Sequence, residues 1–182
     1  MIKIIIVYLF SASLLYAEAS DIGSVTELKI PRFVSLKSNE VNMRIGSGRM
    51  YPIVLRYTKK NFPLEVIEEY DLWRKVKDIE GNEGWVKKTL LKGGDRFGII
   101  IEKEKINALI FSKPRGKIIG EIGKNNIVLL ETCLLEWCFI EFNKYEGWVN
   151  KKNIWGVYKD EELNKPFYQL LINQIWKINL PF

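Results

Sequence analysis

The chain has 182 residues, with 28 lysines and arginines against 22 acidic residues, no histidine and a formal net charge of +6. The lack of histidine excludes Ser-His-Asp and Cys-His catalysis and removes the commonest metal ligand. The basic residues are scattered, whereas nucleic-acid-binding surfaces concentrate them, so no nucleic-acid partner is expected.

The first predicted element is a secretory signal peptide over residues 1–19. Lys3 precedes an apolar run of roughly a dozen residues, which suits a signal sequence and is shorter than the ~20 residues that span a bilayer. Ala17-Glu18-Ala19 allows cleavage after Ala19, or alternatively after Ala17. The other interpretation is an uncleaved membrane anchor. Export would place the mature chain in the periplasm or outside the cell.

Short β-rich runs fill residues 30–92, the first predicted domain. Gly, Pro, Asn and Asp stand between the runs, where the backbone has to reverse, and no helical period is present. This pattern predicts a small all-β barrel or sandwich. The predicted strands are 33–36, 41–45, 53–57, 64–68, 73–77 and 83–87.

The strand 73–77 indicates which side chains face solvent. Alternation puts Trp73 on the same face as Lys75 and opposite Val76. With Val76 in the core, Trp73 faces outward and is free to contact a ligand. Core packing is the usual location of a tryptophan, and a bulge at the strand end would reverse the assignment.

An acidic group precedes Trp73 at the tip of the predicted hairpin. It consists of Glu68, Glu69 and Asp71, with Tyr70 among them. One interpretation is a solvated hairpin tip. The other is an acidic rim that pairs with a cationic group of a ligand, such as the amine of a diamino acid, beside an aromatic platform.

An internal repeat organises the rest of the chain. Trp73 recurs as Trp137, 64 residues later, and Gly84-Trp85-Val86 recurs as Gly147-Trp148-Val149, 63 residues later. A repeat of this length exceeds the usual solenoid periods and suits two independent small domains.

The second predicted domain spans residues 96–158 and follows the linker Gly93-Gly94-Asp95. The fold class is therefore all-β, with two tandem small barrels. The strands predicted in the second domain are 106–111, 118–122, 127–131, 137–142 and 147–150.

Cys133 and Cys138 flank a tight connection in the second domain. A hairpin there would place the two residues opposite each other within bridging range, so we predict a disulfide, which an oxidising compartment would preserve. The alternative is a catalytic or metal-binding thiol pair, which lacks a histidine base and further soft ligands. We predict no metal and no cofactor.

The C-terminal segment, residues 159–182, differs from both domains. Apolar residues recur there at helical spacing after the acidic start Asp160-Glu161-Glu162, which predicts an amphipathic helix. Docking onto the barrels is the expected role, and self-association or a weak membrane-surface contact is the alternative.

Four motifs of the first domain carry a family resemblance: Asn42-Met43-Arg44-Ile45-Gly46, Tyr51-Pro52-Ile53, Trp73-Arg74-Lys75-Val76 and Gly84-Trp85-Val86. Together they resemble the bacterial SH3 (SH3b) domain. Ser47 stands where the family usually has proline, and both residues suit a turn. In the second domain Leu109 and Phe111 stand where the arginine and glycine would be, so this copy is degenerate.

The resemblance implies two five-stranded SH3-like barrels and a role in binding rather than catalysis. It places Trp73 and Trp85 in a ligand groove, and we add Arg44, Tyr51, Tyr70 and Asp71 as neighbouring candidates. The resemblance also implies cell-wall peptides or envelope proteins as partners.

The predicted function is therefore that of a non-enzymatic exported protein that recognises the peptide part of peptidoglycan. The alternative is an envelope scaffold that recruits a wall enzyme. A wall hydrolase is the third reading, but no second catalytic carboxylate can be identified by spacing among the glutamates.

Overall fold

A computed structural model describes residues 21–101 and 107–164 of the chain. The predicted signal peptide and most of the predicted C-terminal helix lie outside these residues.

Residues 32–92 form one antiparallel sheet of seven strands in the order β3-β2-β6-β5-β4-β1-β7. The predicted strands are present, with ends that differ by at most two residues. The additional strand β7 has only two residues and pairs with β1. The strands are β1 (Arg32–Leu36), β2 (Val41–Arg44), β3 (Ile53–Tyr57), β4 (Pro63–Tyr70), β5 (Trp73–Lys77), β6 (Glu83–Lys87) and β7 (Leu91–Lys92), with a 3-10 turn at Lys88–Leu90 between the last two.

The described part of residues 97–155 repeats this topology in a second seven-stranded sheet, with the order β10-β9-β13-β12-β11-β8-β14. The prediction of two tandem all-β domains is confirmed for the described residues, but each sheet has seven strands and not the five that the resemblance implied. The strands are β8 (Phe97–Ile100), β9 (Ala108–Phe111), β10 (Ile118–Ile122), β11 (Ile127–Cys133), β12 (Trp137–Phe142), β13 (Tyr145–Asn150) and β14 (Ile154–Trp155), with a 3-10 turn at Lys151–Asn153.

Each sheet curls around its own apolar core. Alternate residues of the strands point inward, so β-branched and other aliphatic side chains of facing strands meet there. The first core includes Val34, Leu36, Val41, Met43, Leu64, Val66, Val76 and Val86. The second includes Ile100, Ala108, Ile110, Val128, Leu130, Ile140 and Val149.

The two domains contact each other through Phe33 of β1. Its ring lies 5.0 Å from the ring of Trp155 at 82° and 4.8 Å from the ring of Tyr158. The Tyr158 hydroxyl donates to Glu65 of the first domain at 2.7 Å, and burial together with this bond raises the pKa of Tyr158, so it remains a donor. The guanidinium of Arg96 also lies over the Phe33 ring. The domains are thus joined by packing as well as by the linker.

The segment after the second domain is not helical where the structure describes it. Residues 159–160 form a turn, and Leu163 makes an isolated bridge to Cys133. Arg96 pairs with Glu161 at 2.7 Å, so this residue of the acidic group is bound to the barrel. The remainder of the predicted helix, 165–182, lies outside the described residues.

Candidate ligand-binding site

The outward face of the first domain carries two rows of side chains, one across three strands and one across four. Residues directly opposite each other in a sheet point to the same face, so the strand register gives the rows. We call this surface the aromatic-cationic face. Its first row is Tyr70, Trp73 and Lys87, and its second row is Glu68, Lys75, Trp85 and Arg44.

Alternation within β5 and β6 turns both tryptophans outward. Val76 and Val86 are fully buried, whereas Trp73 and Trp85 are half-buried. The register shift of this hairpin is confined to β4, and the alternation along β5 is unbroken. Trp73 therefore has the orientation that the sequence pattern predicts.

A groove of about 300 Å³ opens beside Trp73. Arg44 lines it, and its Nη1 donates to the backbone carbonyl of Tyr51 at 2.6 Å. This bond fixes one side of the guanidinium and leaves its other N–H groups directed to the groove or to solvent. The remaining lining residues are Glu40, Asn42, Arg49, Lys87, Thr89 and Leu90.

Tyr51 contributes its backbone carbonyl and packs on the turn that follows β2. A Cβ at Gly46 would lie 2.6 Å from the ring of Tyr51, so glycine is required for the ring to close over this turn. The ring remains half exposed, at 48%. Gly46 thus leaves room for the Tyr51 ring, while the Tyr51 carbonyl holds Arg44.

Tyr70 and Asp71 lie at the tip of the β4–β5 hairpin. Tyr70 is exposed and directly opposite Trp73, so it extends the aromatic surface. Asp71 has φ 44°, and its carbonyl accepts a hydrogen bond from Arg74 Nη1 at 3.0 Å. The carbonyl of Asp71 therefore stabilises the turn, and its side chain is exposed.

Glu69 does not belong to the acidic rim that the sequence suggested. It is only 4% exposed and contacts Arg32 at 2.6 Å and Arg74 at 3.2 Å. The hydroxyl and backbone N–H of Thr26 donate to it at 2.7 and 2.8 Å. Burial alone would raise the pKa of Glu69, but these hydrogen bonds outweigh it and lower the pKa to about 2. We call this arrangement, which ties residues 24–26 to β4, the Glu69 clasp.

Three residues line the groove although the sequence did not predict them as site residues: Asn42, Arg49 and Lys87. A signal for Lys87 was present, because it lies two residues after Trp85 in β6 and therefore on the same face. Arg49 lies in the turn after β2, where alternation gives no orientation. Its place in the groove follows only from the folded loop.

The second domain has a different strand register from the one that the sequence alignment assigned. Phe111 lies opposite Trp148, as Arg44 lies opposite Trp85. Phe111, rather than Leu109, is therefore the counterpart of Arg44. The sequence comparison placed the Arg44 position at Leu109, two residues too early, because the degenerate motif contains no arginine or glycine to fix the register.

Aromatic residues replace the cations on this face of the second domain. Phe139 lies opposite Trp148, as Lys75 lies opposite Trp85. The ring of Phe111 contacts that of Trp137 at 5.1 Å and 82°, and the ring of Phe139 lies 5.4 Å from that of Trp148. We call these four residues, Phe111, Trp137, Phe139 and Trp148, the aromatic row.

The two cysteines form the predicted disulfide. Cys133 and Cys138 are buried and directly opposite each other in the β11–β12 hairpin, with Cα atoms 4.1 Å apart. The same cross-strand position in the first domain is occupied by Glu69 and Arg74. A covalent bond in the second domain thus stands where the first domain has an ion pair.

Replacement of both Cys133 and Cys138 by alanine is expected to lower the free energy of unfolding of the second domain by about 2 kcal/mol. The closed loop is short, so the effect lies at the low end for disulfides. Chemical denaturation of the variant, and of the reduced wild-type chain, measures it. An unchanged denaturation midpoint in both would contradict the prediction.

Residues 21–101 and 107–164 contain no helix that is long and apolar enough to cross a membrane. Within the same ranges, histidine, cysteine and acidic side chains form no group of three or more that could hold a metal ion.

Two stretches of the chain, residues 37–93 and 103–156, match the family model described as "Bacterial SH3 domain". No curated protein matches the chain. Two solved structures from Trichomonas vaginalis are similar at 15% identity: NlpC2, with a TM-score of 0.31, covering 82% of this chain and 56% of that one, and NlpC1, with a TM-score of 0.32, covering 81% and 53%. The chain therefore spans little more than half the length of these two proteins.

Proposed function

Because the chain belongs to the bacterial SH3 domain family, we propose that it is an exported, non-enzymatic protein that binds the peptide part of peptidoglycan through its first domain. The observation that carries the proposal is the groove beside Trp73, which combines an aromatic wall with Arg44 and Lys87. The half-buried indole supplies apolar contact area, and the cationic groups supply hydrogen-bond donors that orient a ligand.

Three features support the proposal that the protein is not an enzyme. The chain has no histidine to act as a general base. Cys133 and Cys138 are bonded to each other, so neither is a free nucleophile. The buried carboxylate of Asp78 accepts hydrogen bonds from the Tyr57 hydroxyl and the Asn82 side chain, which fix the turn after β5. Clearing of a peptidoglycan zymogram by the purified chain would contradict the proposal.

The disulfide supports the proposal that the protein is exported. Disulfides persist in oxidising compartments such as the periplasm and are rare in the cytosol of mesophiles. The bond between Cys133 and Cys138 is fully buried, which suits a structural rather than a transient role. Mass spectrometry of the protein taken from its native compartment would test both export and leader cleavage.

Trp73→Ala is expected to weaken muropeptide binding about tenfold or more, because it removes the aromatic wall of the groove. Isothermal titration with soluble muropeptides measures the effect. Trp137→Ala is the matched control, since Trp137 holds the same strand position in the second domain and is also half-buried. Equal affinity of the Trp73 variant and the wild type would place the ligand elsewhere.

A second candidate function, an envelope scaffold that recruits a wall enzyme, is favoured by the aromatic row of the second domain. Half-exposed, uncharged aromatic side chains of this kind are enriched at protein interfaces. Co-sedimentation with purified sacculi distinguishes the two candidates. A chain that binds a soluble envelope protein and fails to sediment with sacculi would support the scaffold instead.

A further inference from the structure

We propose that the groove beside Trp73 recognises the free terminal carboxylate of its peptide. This inference rests on the proposed function and names the chemical group of the peptide that the first domain recognises. It replaces the acidic-rim interpretation, in which the site would have selected an amine.

The groove is predominantly cationic. Arg44, Arg49 and Lys87 line it, against a single acidic residue, Glu40, among its described residues. Within residues 21–101 and 107–164, neither Arg49 nor Lys87 forms an ion pair with a carboxylate. Two positive charges are therefore uncompensated beside the indole, which favours an anionic ligand.

Asn42 and Arg44 both keep hydrogen-bond donors that are free for a ligand. Asn42 accepts a hydrogen bond on Oδ1 from Arg56 Nε at 3.1 Å. This contact orients the amide so that its NH₂ group remains a donor. Arg44 is anchored through Nη1 and keeps further N–H groups. A carboxylate accepts from several such donors at once, whereas an ammonium group can only donate.

The shape of the groove suits the end of a peptide. Its volume of about 300 Å³ is at the lower limit for ligand pockets. Arg49 in the turn after β2 and Thr89 in the 3-10 turn after β6 also line it. A groove of this size accommodates only a short piece of peptide, so we assign the carboxylate to the terminus of the chain.

The second domain is an internal comparison for this assignment. Asn150 lies opposite Trp137, as Lys87 lies opposite Trp73. Together with the replacement of Arg44 by Phe111, this change leaves the second domain without counterparts of two of the three cations of the groove. We therefore assign carboxylate recognition to the first domain.

The test uses the chain without its leader and a synthetic wall tetrapeptide that ends in D-alanine. We expect the free acid to bind about tenfold more tightly than the same peptide amidated at its C terminus, as for a lost charge-assisted contact. This preference should shrink as ionic strength rises from about 0.01 M to about 0.15 M. A third peptide, amidated only on its internal glutamate, should bind like the free acid.

The double variant Arg49→Gln/Lys87→Gln, which retains only Arg44, should lose most of the preference for the acid over the amide. Its matched control, Lys113→Gln/Lys117→Gln, removes two exposed charges from the second domain and should retain the preference. Equal binding of acid and amide by the wild type overturns the carboxylate proposal but leaves peptide binding intact. The same conclusion follows if only amidation of the internal glutamate weakens binding. If none of the peptides binds, the proposed function fails as well.

Discussion

Replacement of Glu69 by alanine is expected to lower the free energy of unfolding of the first domain by about 3 to 5 kcal/mol. The change would leave Arg32 and Arg74 without the carboxylate that both contact, and removal of one partner of a buried ion pair costs this much. Val25 and Thr26 would also lose the carboxylate to which they donate hydrogen bonds. Chemical denaturation, followed by tryptophan fluorescence, measures the effect.

Glu68→Ala is the matched control for Glu69→Ala. Glu68 is the neighbouring residue on β4, but it is exposed and lies on the outward face. Its replacement should change the free energy of unfolding by less than about 0.5 kcal/mol. Similar losses in the two variants would show that the clasp contributes nothing beyond strand propensity.

The Glu69 clasp also gives the first domain an acid-dependent stability. The pKa of Glu69 falls from an ordinary value of 4.5 to about 2, so between these values the unfolded state binds more protons than the folded state. The stabilisation, about 3 kcal/mol for this difference in pKa, is complete above the unfolded-state pKa and is lost as the pH falls to about 2. In Glu69→Gln this contribution to the pH dependence should be absent.

Replacement of Phe33 by alanine is expected to remove about 3 to 5 kcal/mol of stabilisation from the contact between the domains, as for other buried phenylalanines. Phe33 is 6% exposed although it lies on the outward side of β1, because Trp155 and Tyr158 cover it. The core of the first domain does not depend on it. We therefore expect calorimetric unfolding to separate into two transitions.

Phe111→Ala provides the control for Phe33→Ala. Phe111 makes a similar edge contact, with Trp137, but lies away from the domain contact. Its replacement should destabilise only the second domain and leave the coupling between domains unchanged. If Phe33→Ala leaves a single transition at the wild-type temperature, the interface does not couple the domains.

Most of the strands and the orientation of Trp73 could be predicted because both depend on local pattern, whereas β7, β8 and β14 were missed. Turn residues mark where the strands end, and alternation from the buried Val76 gives the face of Trp73. The disulfide could be predicted for the same reason, since a short hairpin brings Cys133 and Cys138 together.

The features that the sequence did not predict depend on distant parts of the chain. Glu69 looked like an exposed acid because its partners Thr26 and Arg32 lie about forty residues earlier. The same alternation that turns Phe33 outward gives no sign that Trp155 covers it. The register of β9 was missed because nothing local distinguishes Leu109 from Phe111 as the residue opposite Trp148.

The exchange of an ion pair for a disulfide at one cross-strand position gives the two domains different requirements for maturation. The contact between Glu69 and Arg74 forms as soon as the first domain folds, in any redox environment. The bond between Cys133 and Cys138 needs an electron acceptor, so the second domain reaches its full stability only after oxidation. In newly made chains kept in a reducing environment, the first domain would thus have all its stabilising contacts, whereas the second domain would lack its disulfide.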